Sequence, residues 1–245
     1  VSKFAVLVLA AGRSSRFGDA TDKKPFVTLD GRAVWMHSVE RFVARTDVCQ
    51  TIVVVSSEDR EDFHRNFGAN LLFMGADLCE GGAERADSVR AGLAKVSGDA
   101  THIAIHDAAR PLVTVDEVDR VFAAAVETGA AILATPVTAT LKRVADNRVT
   151  ETAPRDGLWA AQTPQAFELG LFRRAVAAAE GAVVTDDAQL IERLGEPVAI
   201  VEGSPQNLKI TTQDDLKLAA AIFADKTRSA AKKPGRLVED DDFWS

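Results

Sequence analysis

Cysteine is scarce in this chain of 245 residues: Cys49 and Cys79 stand alone in unrelated contexts. Their spacing rules out a metal-thiolate pattern and predicts free thiols in a reducing cytosol. Long apolar runs are missing, since nothing approaches the roughly 18 residues of a membrane span. The N-terminus runs straight into strand-like sequence without a signal-peptide pattern, so a soluble cytoplasmic protein with no membrane role is expected. An excess of basic charge is also missing. The net charge is −7, which argues against a general nucleic-acid binder but leaves room for a local nucleotide site. His37, His64 and His102 show no metal-ligand spacing. The apolar content of 47% is ordinary, and the length suits one large α/β domain or two small ones.

Two familiar phosphate-loop fingerprints are lacking as well, and their absence sharpens the reading of Val6–Gly18, VLVLAAGRSSRFG. No Gly-Lys-Ser/Thr closes the loop, so it is no Walker A motif. Ser14 stands where a GxGxxG dinucleotide fingerprint needs glycine. What is present is an apolar run ending in Ala10, Ala11 and Gly12, followed by small residues and two arginines. A buried parallel strand ending in a small-residue loop lets backbone N–H groups approach phosphate oxygens at the sheet's carboxyl edge. Arg13 and Arg16 add positive charge there. An ordinary strand-to-helix turn with solvated arginines remains the alternative.

Strand patterns occur at Phe4–Leu9, Thr51–Val55, Leu71–Met74, His102–His106, Ala131–Pro136, Val198–Glu202 and Leu208–Thr211. Helical spacing occurs at Val34–Ala44, Ala86–Val96, Asp116–Glu127, Leu169–Ala179, Asp186–Leu194 and Gln213–Ala224. Thr114 or Asp116, Thr185 and Thr212 are N-cap candidates. The alternation predicts an α/β fold, a mostly parallel twisted sheet with helices on both faces. Thr138–Pro154 breaks the rhythm: Asp146-Asn147 between two β-prone pieces is a hairpin signal. It is either an arm that packs on a second subunit or a surface hairpin on its own domain. From about Asp225 the chain is basic and then acidic, with Pro234-Gly235, and a frayed tail is expected, so that the domain covers 1–225 and the tail 226–245.

Three further constellations carry chemistry. GGAERADSV at Gly81–Val89 opens a helix with paired glycines; exposed backbone there can read a base edge, or form only a turn and a cap. Within it Ser88 offers a hydroxyl, and Arg85 can pair with a phosphate or anchor the loop through a carboxylate. HDAARP at His106–Pro111 puts Asp107 at a strand's carboxyl end, a place suited to a Mg²⁺ ligand. Arg110 can reach a substrate phosphate, while His106 is read as structural rather than as a base. In NLKITT at Asn207–Thr212, a lysine inside an apolar stretch needs an anionic partner, so Lys209 is expected to face the cleft unless it lies on a solvent edge.

In order along the chain, AAGRSSRFG, GGAERADSV, HDAARP, WAAQTPQAF, TDDA and NLKITT resemble the 2-C-methyl-D-erythritol 4-phosphate cytidylyltransferase family of the non-mevalonate isoprenoid pathway, over about residues 4–224, while KKPF departs from that family's usual Pro-Lys pattern. The resemblance implies a Rossmann-like nucleotidyltransferase, homodimeric through a β-arm, that uses CTP, a polyol phosphate and Mg²⁺. It implies that Ala10, Ala11, Gly12 and Ser15 line the CTP site and that Gly82, Ala83 and Ser88 read cytosine. Arg16, Lys24 and Lys209 would act in catalysis, with Lys23 as the alternative to Lys24. Asp107, Arg110, Thr140 and Thr185 would hold the acceptor, and Arg155 and Thr163 would contact the neighbouring subunit's substrate. Relatives commonly carry an acidic or polar residue where Ala83 stands, so only backbone reading of the base survives there. Other readings remain: a cytidylyltransferase for another polyol phosphate such as ribitol 5-phosphate, an NAD-dependent oxidoreductase lacking its fingerprint, and a non-catalytic nucleotide sensor.

Overall fold

The computed structural model describes residues 2–11, 27–179 and 184–231, with only the backbone for 229–231. Arg16, Lys23, Lys24, Gly12, Ser15 and the tail beyond Ala231 lie outside the described residues. A seven-stranded sheet runs in the order β11-β7-β10-β6-β1-β4-β5. Its strands are β1 (Phe4–Leu9), β4 (Val48–Val55), β5 (Asp77–Glu80), β6 (His102–Asp107), β7 (Ala130–Pro136), β10 (Trp159–Glu168) and β11 (Ala199–Glu202). All are parallel except β10, which runs antiparallel between β6 and β7. A two-residue pair, β2 (Thr28–Leu29) and β3 (Arg32–Ala33), precedes the first helix.

The alternation of side chains in β1 builds two cores. Phe4, Val6 and Val8 face one layer with Trp35, Phe42, Phe63 and Phe122. Ala5 and Leu7 face the other with Val89, Leu93, Phe172 and Ile191. This is how a doubly covered strand reads, apolar at every position. The first layer holds α1 (Val34–Val43), α2 (Arg60–Met74) and α4 (Val115–Thr128); the second holds α3 (Arg85–Leu93), α5 (Leu169–Ala178) and α6 (Ala188–Arg193). α7 (Gln213–Ala231) closes a third, smaller core of Leu29, Val34, Leu112, Ile210 and Ala219. From β1 the chain moves to β4 and β5 on one side and returns to β6 on the other. Such a reversal opens a crevice at the strands' carboxyl ends, where Ala10–Ala11, Gly81–Gly82 and Asp107 lie.

Several elements differ from the sequence reading. Leu71–Met74 is the last turn of α2, ended by Gly75 at φ 65°, and the strand follows as β5. The apolar run misleads because Leu72 and Phe73 are 84% and 93% exposed, whereas edge strand β5 buries only Cys79. Leu208–Thr211 joins no sheet; Ile210 N–H instead donates to the Ala109 carbonyl at 2.8 Å. β10 is a strand that polar residues and Pro164 disguised. α7 continues past Ala224 to Ala231, so the helix reaches into the stretch read as tail. The hairpin forms as read: β8 (Leu141–Ala145) pairs antiparallel with β9 (Arg148–Ala153). Asp146 and Asn147 both take positive φ, the geometry that suits a two-residue turn. Nearly every residue of the ribbon is exposed, Val144 and Val149 included, so it does not lie on its own domain.

Candidate active site

Asp107, the last residue of β6, is 6% exposed and is surrounded by cations. Arg85 Nη1 reaches Oδ1 at 2.8 Å, while Lys209 Nζ and Arg110 Nε reach Oδ2 at 2.9 and 3.5 Å. Burial alone would raise the carboxyl's pKa, but Arg85, Lys209 and Arg110 hold it well below the ordinary aspartate range. Arg85 also binds Asp187, Nη2 to Oδ2 at 2.5 Å. Burial works against the Arg85 charge, but Asp187 and Asp107 outweigh it and raise its pKa. Burial pushes the Asp187 carboxyl upward against the pull of Arg85. Arg110 and Lys209 outnumber the Asp107 carboxylate oxygen they share, a local arrangement suited to a phosphate.

The cradle is held from below. Thr163 Oγ1 accepts the Asp107 N–H at 3.0 Å and lies 3.1 Å from His106 Nδ1. His106 Nε2 faces the Arg110 carbonyl at 3.2 Å. Those contacts fit one neutral tautomer, with Nε2–H donating and Nδ1 accepting from the threonine hydroxyl. Burial pulls the His106 pKa down to about 4, which keeps it neutral and structural. Gln165, on β10 with Thr163, accepts the N–H groups of Asp187 and Ala188 at 3.0 and 3.1 Å and so fixes the start of α6.

The glycine loop lies at the start of α3, tied to the cradle through Arg85. A Cβ on Gly82 would come 2.2 Å from Asp87 Cβ, and one on Gly81 would come 2.6 Å from Ser88 Oγ, so both positions exclude a side chain. Asp87 and Glu84 form a capping box, with Glu84 N–H donating to Asp87 Oδ2 at 3.2 Å. Gly82 and Ala83 are exposed at the mouth.

Comparison with known proteins agrees with this arrangement. The profile of the 2-C-methyl-D-erythritol 4-phosphate cytidylyltransferase family matches residues 4–225. The chain belongs to that family. A relative of that name from Rhodopirellula baltica is 44% identical over 230 residues, covering 89% of this chain and 94% of the relative. One from Bacillus velezensis is 42% identical over 224 residues, covering 90% and 96%. The crystal structure of the Thermus thermophilus 2-C-methyl-D-erythritol 4-phosphate cytidylyltransferase superposes with a TM-score of 0.73 at 33% identity, covering 89% of this chain and 98% of the other.

Within this family framework, the structure brings together Asp107, Arg110, Lys209 and Arg85, and it sets Ala10, Ala11, Gly82 and Ala83 at the sheet's carboxyl edge. Arg85 pairs with two carboxylates, the loop-anchoring arrangement that was one of its two readings. Ser88 is buried with its hydroxyl donating to the Glu84 carbonyl at 3.2 Å, and it braces the loop from behind. Thr163 is buried under Asp107, its hydroxyl accepting the Asp107 N–H. Arg155 donates to the Thr138 carbonyl across the base of the arm. Thr140 and Thr185 are exposed; Thr185 accepts from Gln189 Nε2 at 2.6 Å, and α6 is capped at Asp187 instead.

Asp107 is the carboxylate here that would meet a metal ion carried by a substrate phosphate. Among the described residues no group of three or more His, Cys, Asp or Glu is gathered. Both Asp107 oxygens face cations in this arrangement. Asp187, Asn207 and Gln165 are the residues that sequence reasoning missed. Asp187 lay in the TDDA motif and Asn207 in NLKITT, so the motifs pointed to the segments without assigning these side chains.

Proposed function

We infer that the chain transfers the cytidylyl group of CTP to 2-C-methyl-D-erythritol 4-phosphate, giving 4-diphosphocytidyl-2-C-methyl-D-erythritol and pyrophosphate. The observation that carries this is the positive cradle of Arg110 and Lys209 over Asp107, at the crevice of a chain in this family. The acceptor phosphate has its second pKa near about 6, so it is an anionic nucleophile at neutral pH. No general base is required, in keeping with a buried, neutral His106. One acceptor oxygen bonds to the α-phosphorus of CTP while the bond to the bridging oxygen breaks, and pyrophosphate leaves with that electron pair.

What the protein supplies is placement of two anions and charge to stabilise the crowded phosphorus. Lys209 is half-exposed and holds Asp107 by one contact, so it is free to turn to the acceptor's phosphate, with Arg110 beside it. Arg16 and Lys24 meet the triphosphate, and Gly82 and Ala83 read cytosine through their backbone. Thr140 and Thr185 contact the acceptor polyol. Where Mg²⁺ accompanies CTP, Asp107 would be the carboxylate nearest to it, and the ion would supply positive charge at the triphosphate. The protein works as a homodimer joined through the β8–β9 arm, and its free Cys49 and Cys79 suit the cytoplasm. No helix among the described residues is long and apolar enough to cross a membrane.

Pyrophosphate release with Mg²⁺, across CTP, UTP, ATP and GTP and across methylerythritol phosphate and ribitol 5-phosphate, tests the reading. CTP with methylerythritol phosphate should lead every other pair by about tenfold or more, since a site rejects substrates that leave its buried polar groups unpaired. Equal turnover with ATP, or with ribitol 5-phosphate, would overturn it.

A further inference from the structure

Asn207 is completely buried, 0% exposed, and stands two positions before Lys209. Its amide nitrogen donates to the Thr163 carbonyl at 3.0 Å and to Gln162 Oε1 at 3.3 Å, both on β10. Its backbone carbonyl accepts from Arg110 Nη1 at 2.7 Å. Gln162 completes the brace, its Nε2 donating to the Ser204 carbonyl at 2.9 Å, and Ser204 in turn accepts the Asn207 N–H at 3.0 Å. One residue thus joins three segments: its side chain grips β10, where Thr163 holds Asp107, and its main chain meets Arg110 and leads to Lys209. An amide is needed here. The nitrogen meets two oxygens, and a carboxylate or an apolar group would leave them unpaired in a dry interior.

We propose that Asn207 is a positioning residue for the acceptor's phosphate, fixing the separation and aim of Arg110 and Lys209. The inference rests on the reading that these two cations hold that phosphate. A purely structural asparagine would lower the fraction of folded enzyme without changing either substrate's KM. A positioning residue changes the KM of the substrate its cations hold.

The test is steady-state kinetics with CTP and 2-C-methyl-D-erythritol 4-phosphate on the wild type, Asn207→Ala, Gly203→Ala and Lys209→Met. Gly203→Ala strains the same brace from its other end, because an added Cβ would lie 2.5 Å from Gln162 Oε1. That atom ends a flexible side chain and can swing away, so this variant carries the test if Asn207→Ala fails to fold. Asn207→Ala should raise the acceptor KM about tenfold or more and Gly203→Ala by less, with the CTP KM within about twofold of wild type. Unchanged KM values for both substrates, or parallel rises in both, would overturn the proposal. Lys209→Met separates the two failures. If it raises the acceptor KM while the Asn207 and Gly203 variants do not, only the positioning role falls. If it leaves the acceptor KM unchanged, the phosphate-holding reading falls and takes this inference with it.

Discussion

Asp107 is fixed by charge, and that sets what the residues around it can do. A buried carboxylate matched to several cations contributes little net stability but makes the geometry unique, since any unpaired member is costly. Lys209 was readable because a lysine in an apolar stretch demands an anion. The partner that locks Arg85 was not readable, since Asp187 lies 102 positions away. For the cations outside the described residues, Arg16→Ala and Lys24→Ala should each lower kcat by roughly 10²-fold or more with the fold intact. Lys23→Ala should be mild, and the reverse order of the two lysines would shift the functional residue to Lys23. His106 gives a pH signature. Its folded pKa is depressed from 6.5 to about 4, so between those values the unfolded chain binds a proton that the native one refuses. Stability should therefore fall as pH drops from about 6.5 to about 4, by about 3 kcal/mol from this group. Urea denaturation of wild type and His106→Gln at pH 7 and 4.5 checks this, and an equal loss in both proteins would assign the effect to other groups.

Elements were legible where local chemistry decides them. The Asp146-Asn147 turn, the Thr114 capping box and the apolar β1 need no distant partner to be recognised. Misreadings came where tertiary context overrides pattern. α2 presents Leu72 and Phe73 to solvent, so its apolar run looked like a strand. β10 buries Gln162, Thr163 and Gln165, so it did not look like one, although those residues support the site. The N-terminus of α7 was legible too. Thr212 Oγ1 accepts the Asp215 N–H at 3.1 Å, and Asp215 Oδ2 accepts the N–H groups of Thr211 and Thr212, both at 2.8 Å. This cap begins three positions after Lys209 and ends the cradle's last segment. Thr212→Ala should cost about 1 kcal/mol, read as a lower urea midpoint at unchanged slope. No change would mean that packing of α7 on Leu29, Leu112 and Ile210 holds the segment without its cap.

At the scale of the molecule, the β8–β9 ribbon is the element that the single chain does not explain. A two-stranded ribbon is marginal alone in water, yet this one stands clear of the domain with Val144 and Val149 exposed. At its base Leu158 and Trp159 are also exposed, beside Arg155 bound to the Thr138 carbonyl. A twofold dimer would use such an arm twice, each arm covering its apolar residues on the other subunit. In that assembly Arg155 stands at the arm's root, and the local contact with Thr138 gives it a fixed direction. If it completes the acceptor site of the other subunit, each site draws Arg16 from one chain and Arg155 from its partner. Arg155→Ala and Arg16→Ala homodimers would both be impaired. In a heterodimer of the two, one site carries both lesions and the other carries none. Co-expression with distinct affinity tags, followed by tandem purification, isolates that heterodimer, and about half of wild-type activity is the expected result for one intact site in two. Activity no higher than the mean of the two parent homodimers would place Arg155 in its own subunit's site. A monomer by sedimentation at micromolar concentration would remove the dimer altogether and leave the ribbon's exposed valines without a partner.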